Sequence, residues 1–209
     1  MVNLRRVNHR VSYAAYCAAF IVLGAAMAAN PLADKPKLDA ASMELDVPNN
    51  VFIVTAVRIT TETGYVIKAG QARTTDANNF YNSKWTFTNK VEITTPDGSS
   101  TADAAVISFI DNQISTLHIA GSPATFEQHG VDKVVAQGHA DNIDYDLAHH
   151  TVRLSNHAWI SYGQNECRAV SLVYNITRQL ISAPPEEQQG ERINCTIAPS
   201  AANSKPESP

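Results

Sequence analysis

Val57-Arg58-Ile59-Thr60-Thr61-Glu62-Thr63-Gly64 and Val91-Glu92-Ile93-Thr94-Thr95-Pro96-Asp97-Gly98 lie 34 residues apart and share one pattern, apolar side chains at alternate positions running into a glycine turn. A third copy reads Ala124-Thr125-Phe126-Glu127 with Gly130, and a fourth Ala158-Trp159-Ile160-Ser161-Tyr162 with Gly163. Val57, Val91, Ala124 and Ala158 are thus spaced by 34, 33 and 34 residues. A period of this size marks stacked supersecondary units.

The segment before each copy alternates as well. Trp85/Phe87, Leu117/Ile119 and Val152/Leu154 flank Thr86, His118 and Arg153, the period-two signature of half-buried strands. Asn89, Gly121 and Asn156 sit between the two halves. These residue types accept a positive φ or cap a turn, so each unit is expected to bend at one equivalent place. A further strand per unit is marked by Ile67, by Ile107/Phe109, by Ile143/Tyr145 and by Leu172/Tyr174. Two or three short strands per unit, stacked four or five times, predict an all-β domain of two facing sheets with their apolar sides inward.

Composition agrees. At 209 residues, with 44% hydrophobic and 17% charged residues, the chain has apolar content for one core. No segment after Asn30 carries a helical period, and Val, Ile and Thr recur through the middle.

The N-terminus reads as a targeting segment. Arg5, Arg6 and Arg10 precede the apolar run Val11 to Ala25 and the small-residue site Ala26-Met27-Ala28, the pattern of a secretory signal peptide cleaved near Ala28/Ala29. An uncleaved anchor is the alternative, because Val11 to Ala29 is long enough to span a bilayer. Cys17 lies within the run and lacks lipoprotein-site surroundings. The expected organisation is a signal peptide over 1–28, a flexible leader over 29–41, the β domain over 42–197 and a disordered tail over 198–209. Loss of the three arginines with residues 1–28 moves the net charge from −4 to −7. An acidic chain without basic clusters is a poor binder of nucleic acid or anionic membranes.

Cys167 and Cys195 then remain in an exported chain. They read either as a disulfide stapling the C-terminal end of the stack or as two separate thiols. Asn175-Ile176-Thr177 and Asn194-Cys195-Thr196 match the glycosylation pattern, which also arises by chance.

Catalytic signatures are not found: there is no Ser/His/Asp order, phosphate-binding glycine loop or Cys-x-x-Cys pair, and no cofactor is expected. His149-His150 adjoins Asp141-Asn142-Ile143-Asp144-Tyr145-Asp146. Strand parity sends Asn142, Asp144 and Asp146 to one face and Asp141, Ile143, Tyr145 and Leu147 to the other. That favours a solvated carboxylate face followed by a histidine turn over a metal site. Asp144 and Asp146 as a glycosidase pair lack a second convergent polar cluster. The strongest pattern is apolar, Val57/Ile59, Val91/Ile93, Ala124/Phe126 and Ala158/Ile160/Tyr162 forming one inner stripe. It is either a filled core or a slot that opens to alkyl chains.

From about Tyr65 to Thr196 the chain resembles the LptA family of OstA-like lipopolysaccharide-transport domains. The resemblance is carried by Gly121-Ser122-Pro123-Ala124-Thr125-Phe126-Glu127-Gln128, by Gly138-His139-Ala140 leading to Tyr145-Asp146-Leu147, and by Val152-Arg153-Leu154-Ser155-Asn156-His157-Ala158. Tyr174-Asn175 and Gln179-Leu180-Ile181-Ser182-Ala183 follow. It implies a β-jellyroll, or β-taco, whose interior holds the acyl chains of lipid A, and a periplasmic non-enzymatic carrier. By position, the lipid-facing residues it implies are Ile67, Phe126, Tyr145 and Leu147, and strand parity adds Ile93 and Ile160. It further implies open sheet edges that let domains stack head to tail into a homo-oligomer, between an LptC-like inner-membrane protein and an LptD-like outer-membrane protein. The alternatives are an LptC-like anchored component and a structural β-repeat module without ligand. Two features depart from the family pattern: a leading unit over about Ser42 to Gly64, and the pair Cys167 and Cys195.

Overall fold

The computed structural model describes residues 36–77, 79, 82–130 and 133–198. The signal-peptide reading and the proposed tail beyond Ala198 lie outside these residues. Twelve strands follow in order: β1 (Lys37–Asp39), β2 (Ser42–Asp46), β3 (Val51–Thr60), β4 (Val66–Thr74), β5 (Ser83–Thr95), β6 (Gly98–Ile110), β7 (Gln113–Gly130), β8 (Lys133–Asp146), β9 (Thr151–Tyr162), β10 (Asn165–Asn175), β11 (Leu180–Ser182) and β12 (Asn194–Thr196). They form one antiparallel path from β1 through β3 to β10 and β11, with β2 also paired to β3 and β12 also paired to β10.

The short strands expected within each unit are joined into long ones. β5 and β6 have 13 residues each and β7 has 18, and each continues through a bend. The ladder register slips between Thr88 and Val91, Thr101 and Ala104, Ala120 and Ala124, His139 and Asn142, and Ala169 and Ser171. Bulges aligned across neighbouring strands bend a sheet along one line. The sheet therefore folds into two arms that face each other.

Local chemistry explains the position of the line. Asn89 (φ 66°) and Lys90 (φ 60°) in β5, and Asn156 (φ 63°) and His157 (φ 54°) in β9, adopt left-handed backbone, which asparagine tolerates. Gly121 does not use its freedom in this way. The bend in β7 instead runs through a cis Ser122–Pro123 bond, with the Ser122 N–H donating to Asp103 Oδ2 at 3.1 Å. The bulge in β8 also overturns the parity expected for Asp141. Its carboxylate lies at the bend beside His157 Nδ1, 2.9 Å away, and not on the inner face with Ile143.

The first arm holds Ser83–Thr88, Ala104–Ile110, Gln113–Ala120, Asn142–Asp146, Thr151–Ser155 and Ser171–Asn175. The second holds Val91–Thr95, Gly98–Thr101, Ala124–Gly130, Lys133–His139, Ala158–Tyr162 and Asn165–Ala169. Trp85, Phe87, Ile107, Ile119, Ile143 and Leu154 of the first arm pack with Val91, Ile93, Phe126 and Ile160 of the second in one core. Each such side chain contributes roughly 1.5–3 kcal/mol by leaving water.

Within the span 29–41 expected as a leader, the described residues include a strand. Lys37–Asp39 pairs with Thr60–Arg58, because Lys-Leu-Asp alternates and β2 covers β3 only over Val51–Thr55, leaving this part of its edge open. At the other end Cys167 and Cys195 are bonded across β10 and β12, with Cα atoms 4.1 Å apart, so the disulfide reading of the two cysteines holds.

The connection from β11 to β12 crosses the bulge of β10. Glu187 there accepts from the Ser171 hydroxyl at 2.6 Å and from Arg153. The Ser171 hydrogen bond first, and Arg153 second, hold the Glu187 carboxyl below its usual value. A depressed folded-state value means that this contribution is complete above the ordinary carboxylate range, near pH ~4.3, and is lost as pH falls through the folded value. Hydrogen exchange across residues 183–193 should therefore accelerate selectively in acid. Equal protection at pH 7 and below pH ~4 would remove Glu187 as the anchor.

Candidate functional site

The free tips of the two arms meet around a pocket of about 200 Å³. Tyr65, Pro96 and Phe126 come from the second arm, and Tyr145, Leu147, Val152 and Ile176 from the first. Alternation along β7 turns Phe126 inward and Thr125 outward, where the Thr125 hydroxyl meets that of Thr101 at 2.7 Å. Leu147 lies just past β8 in a turn. That turn is held by Asp146, which accepts from the His149 backbone N–H at 3.1 Å and lies 2.6 Å from its ring Nδ1. These bonds hold the Asp146 carboxyl below its usual range. Asp144 faces away from it, against His118 Nδ1 at 2.5 Å. The acidic segment thus builds the turn and an outer strand face.

Three hydrogen bonds tie the arms together along the mouth. The Tyr145 and Ser100 hydroxyls are 2.6 Å apart, Tyr174 donates to Gln128 Oε1 at 2.6 Å, and Tyr162 donates to Gln179 Oε1 at 2.6 Å. The Phe126 and Tyr174 rings stack across the gap with centroids 6.3 Å apart. Burial raises the Tyr145 hydroxyl far above its ordinary value, and burial with the neighbouring Tyr162 pushes Tyr174 up to about 12. Tyr65 is raised by burial and by Asp97. All three phenols are neutral at pH 7, so the mouth is polar in hydrogen bonding and carries no phenolate charge.

Gly138 makes this packing possible. A Cβ at that position would meet the Phe126 ring, the Trp159 carbonyl oxygen at 2.8 Å and Leu154 Cδ2 at 2.9 Å. The absence of a side chain lets Phe126 lie between the arms.

Of the six residues selected from sequence, Phe126, Tyr145 and Leu147 come together in the pocket. Ile67, Ile93 and Ile160 are buried on the inner face of the second arm, away from its wall, with Ile67 and Ile93 paired directly. Tyr65, Ser100, Gln128 and Tyr174 also shape the mouth and are not among these six. Tyr174 carried the strand alternation that would have found it. Ser100 and Gln128 are polar residues serving an inner face, which no apolar pattern can show.

Tyr174→Phe should weaken one tie between the arms, at a cost of about 1 kcal/mol. That corresponds to a fall in Tm of roughly 2–4 °C for a domain of this size, with faster modification of a reactive probe at residue 126. An unchanged probe rate would show that the tie does not close the mouth.

Comparison with known proteins places this geometry. The sequence model for the LptA/(LptD N-terminal domain) LPS transport protein family matches residues 37–180. The leading unit Ser42 to Gly64 therefore lies inside the family region. Among solved structures, the crystal structure of LptH, the LptA homologous periplasmic component of the conserved lipopolysaccharide transport device from Pseudomonas aeruginosa, is similar at 19% identity. That match covers 78% of this chain and 95% of LptH, with a TM-score of 0.50, and it supports the jellyroll fold. None of the curated proteins matches the chain. With the family match spanning most of the described strands, the chain belongs to the LptA/LptD N-terminal domain family of lipopolysaccharide transport proteins.

Proposed function

We propose that this protein is a periplasmic carrier that holds the acyl chains of lipid A between its two arms and leaves the phosphorylated sugar head in water. The observation that carries this reading is the apolar pocket at the mouth, lined by Phe126, Tyr145 and Leu147, on a chain of the lipopolysaccharide-transport family. Each methylene transferred from water gains about 0.8 kcal/mol, so binding needs no close polar match. The pocket of about 200 Å³ is smaller than the roughly 300–1,000 Å³ of ordinary ligand sites, so a lipid with several chains enters by parting the arms. Ile67, Ile93 and Ile160 then become the deeper wall.

In this reading the signal peptide is cleaved on export. Successive copies stack head to tail and join an LptC-like inner-membrane protein to an LptD-like outer-membrane protein. The end strands of the folded sheet supply the edges for such contacts. The chain transfers the lipid without covalent chemistry, and nucleic acid has no part in it.

The test is photo-crosslinking to lipopolysaccharide from a probe at residue 126, with a probe at residue 125 as the outward control. Adducts at 126 and not at 125 are expected. A folded sample that gives adducts at neither position has a permanently closed core, and the carrier reading fails.

A further inference from the structure

Alternation along β9 turns Ala158 and Ile160 into the core and leaves Trp159 on the outer face of the second arm, partly exposed. Thr125, Gln137, Ser161 and Glu166 share that face, so the packing of the core does not account for a large aromatic ring there. Strand pairing sets His139, Trp159, Arg168 and Asn194 side by side across β8, β9, β10 and β12. The His139 and Trp159 rings stack with centroids 5.0 Å apart and planes inclined by 24°. The Trp159 Nε1–H donates to Glu166 Oε2 at 3.1 Å, which fixes the ring's orientation. The result is a rigid aromatic step on a polar sheet face.

This step borders a cleft of about 640 Å³. That volume falls within the roughly 300–1,000 Å³ of small-molecule sites. Asp141 and His157, 2.9 Å apart, lie at its end nearest the bend. Beyond β10, Glu191, Arg192 and Asn194 line it from the segment that leads into β12. This segment is anchored at both ends. Gln188 is buried and donates from its side-chain amide to the Ser171 and Pro184 carbonyls at 2.8 and 3.0 Å, and Cys195 is bonded to Cys167.

The lining selects a chemical class. It holds two carboxylates, Asp141 and Glu191, and two guanidiniums, Arg168 and Arg192, whose charges cancel. A balanced site draws neither anions nor cations from a distance. Phosphorylated ligands would need an excess of positive charge, and a long alkyl chain would strand the polar groups. Donors and acceptors instead stand together beside one aromatic ring, with the amide of Asn194 adding both. A saccharide ring matches the two parts at once: its face of C–H groups lies on the indole, and its hydroxyls reach the carboxylates, guanidiniums and amide.

We propose that this cleft binds a neutral saccharide, with Trp159 as the stacking platform. The site is separate from the mouth. Gly138 pairs with both Phe126 and Ile160, and His139 with both Thr125 and Trp159, so Phe126 and Trp159 lie on opposite faces of one arm. Saccharide binding therefore stands independently of the carrier reading.

The experiment titrates the chain, purified from an oxidising compartment, with the tetramer of N-acetylglucosamine, following tryptophan emission and heat. Trp85 is 1% exposed, so a change in emission reports Trp159. A saturable change with a Kd below about 1 mM is expected. Calorimetry on Trp159→Ala should show binding weakened by about tenfold or more, and on Arg192→Ala by about threefold, each variant keeping the parental circular dichroism. Arg192 is exposed on the surface segment, so its variant tests the site even where Trp159→Ala does not fold. No saturable signal by either method overturns the proposal, as does parental affinity in folded Trp159→Ala or in Arg192→Ala. Tighter binding of the anionic core oligosaccharide freed from lipopolysaccharide would overturn the assignment to a neutral ligand. Lipid adducts at residue 126 should persist with the tetramer bound, and their loss would contradict the separation of the two sites.

Discussion

Replacing Trp85 with Ala is expected to lower the unfolding free energy by about 3–5 kcal/mol while leaving the lipid-adduct pattern at residue 126 intact in the cold. Trp85 is 1% exposed and joins three strands of the first arm, opposite Thr74 on β4 and Ile107 on β6. Its ring packs edge-on against Phe52 with centroids 5.9 Å apart and stacks on Phe87 at 6.2 Å. Its Nε1–H donates to Ser83 Oγ at 3.0 Å, so truncation removes area and a hydrogen bond together. The cavity left behind adds to the lost transfer energy, because neighbours on a hydrogen-bonded sheet move little. A fall in Tm of roughly 10 °C is expected from thermal denaturation. Since Trp85 does not line the mouth, lost adducts in a folded sample would contradict the site placed at the tips of the arms.

Gly138→Ala should damage both stability and uptake. The added Cβ would be 2.8 Å from the Trp159 carbonyl oxygen and 2.9 Å from Leu154 Cδ2, and it would also strike the Phe126 ring. The carbonyl belongs to a paired strand and cannot retreat, so Phe126 must yield toward the pocket. Overpacking of this kind costs about 1–3 kcal/mol. Room for about two methylenes lost at about 0.8 kcal/mol each corresponds to about tenfold weaker lipid capture. Denaturant titration and adduct yield at the outermost chain atoms read the two effects separately. A variant with parental stability and parental adduct yield would show that Phe126 does not depend on the space left by Gly138. Trp85→Ala and Gly138→Ala together distinguish loss of arm stability from loss of the proposed lipid capture at the mouth.

The strands and the bend were legible because each is a local property. Alternation such as Trp85/Phe87 needs only the two-residue repeat of a strand, and Asn89 and Asn156 announce left-handed backbone by their chemistry. Phe126 was legible for the same reason, and its neighbourhood also matched a family motif. Ile67, Ile93 and Ile160 were recognised as inward by the same parity, but parity cannot tell a core position from a pocket wall.

The sequence by itself thus determined an all-β chain of about 34-residue units, one inward face and the family to which it belongs. Only the tertiary structure decided which inner residues reach the mouth, because that depends on contacts between arms, such as Ser100 with Tyr145 and Gln128 with Tyr174, separated by 45 and 46 residues. It likewise decided that Cys167 and Cys195 meet and that Lys37–Asp39 joins the sheet, since pairing across distant strands is set by register. Periodicity reports which way a side chain points. What it points at is fixed by the fold.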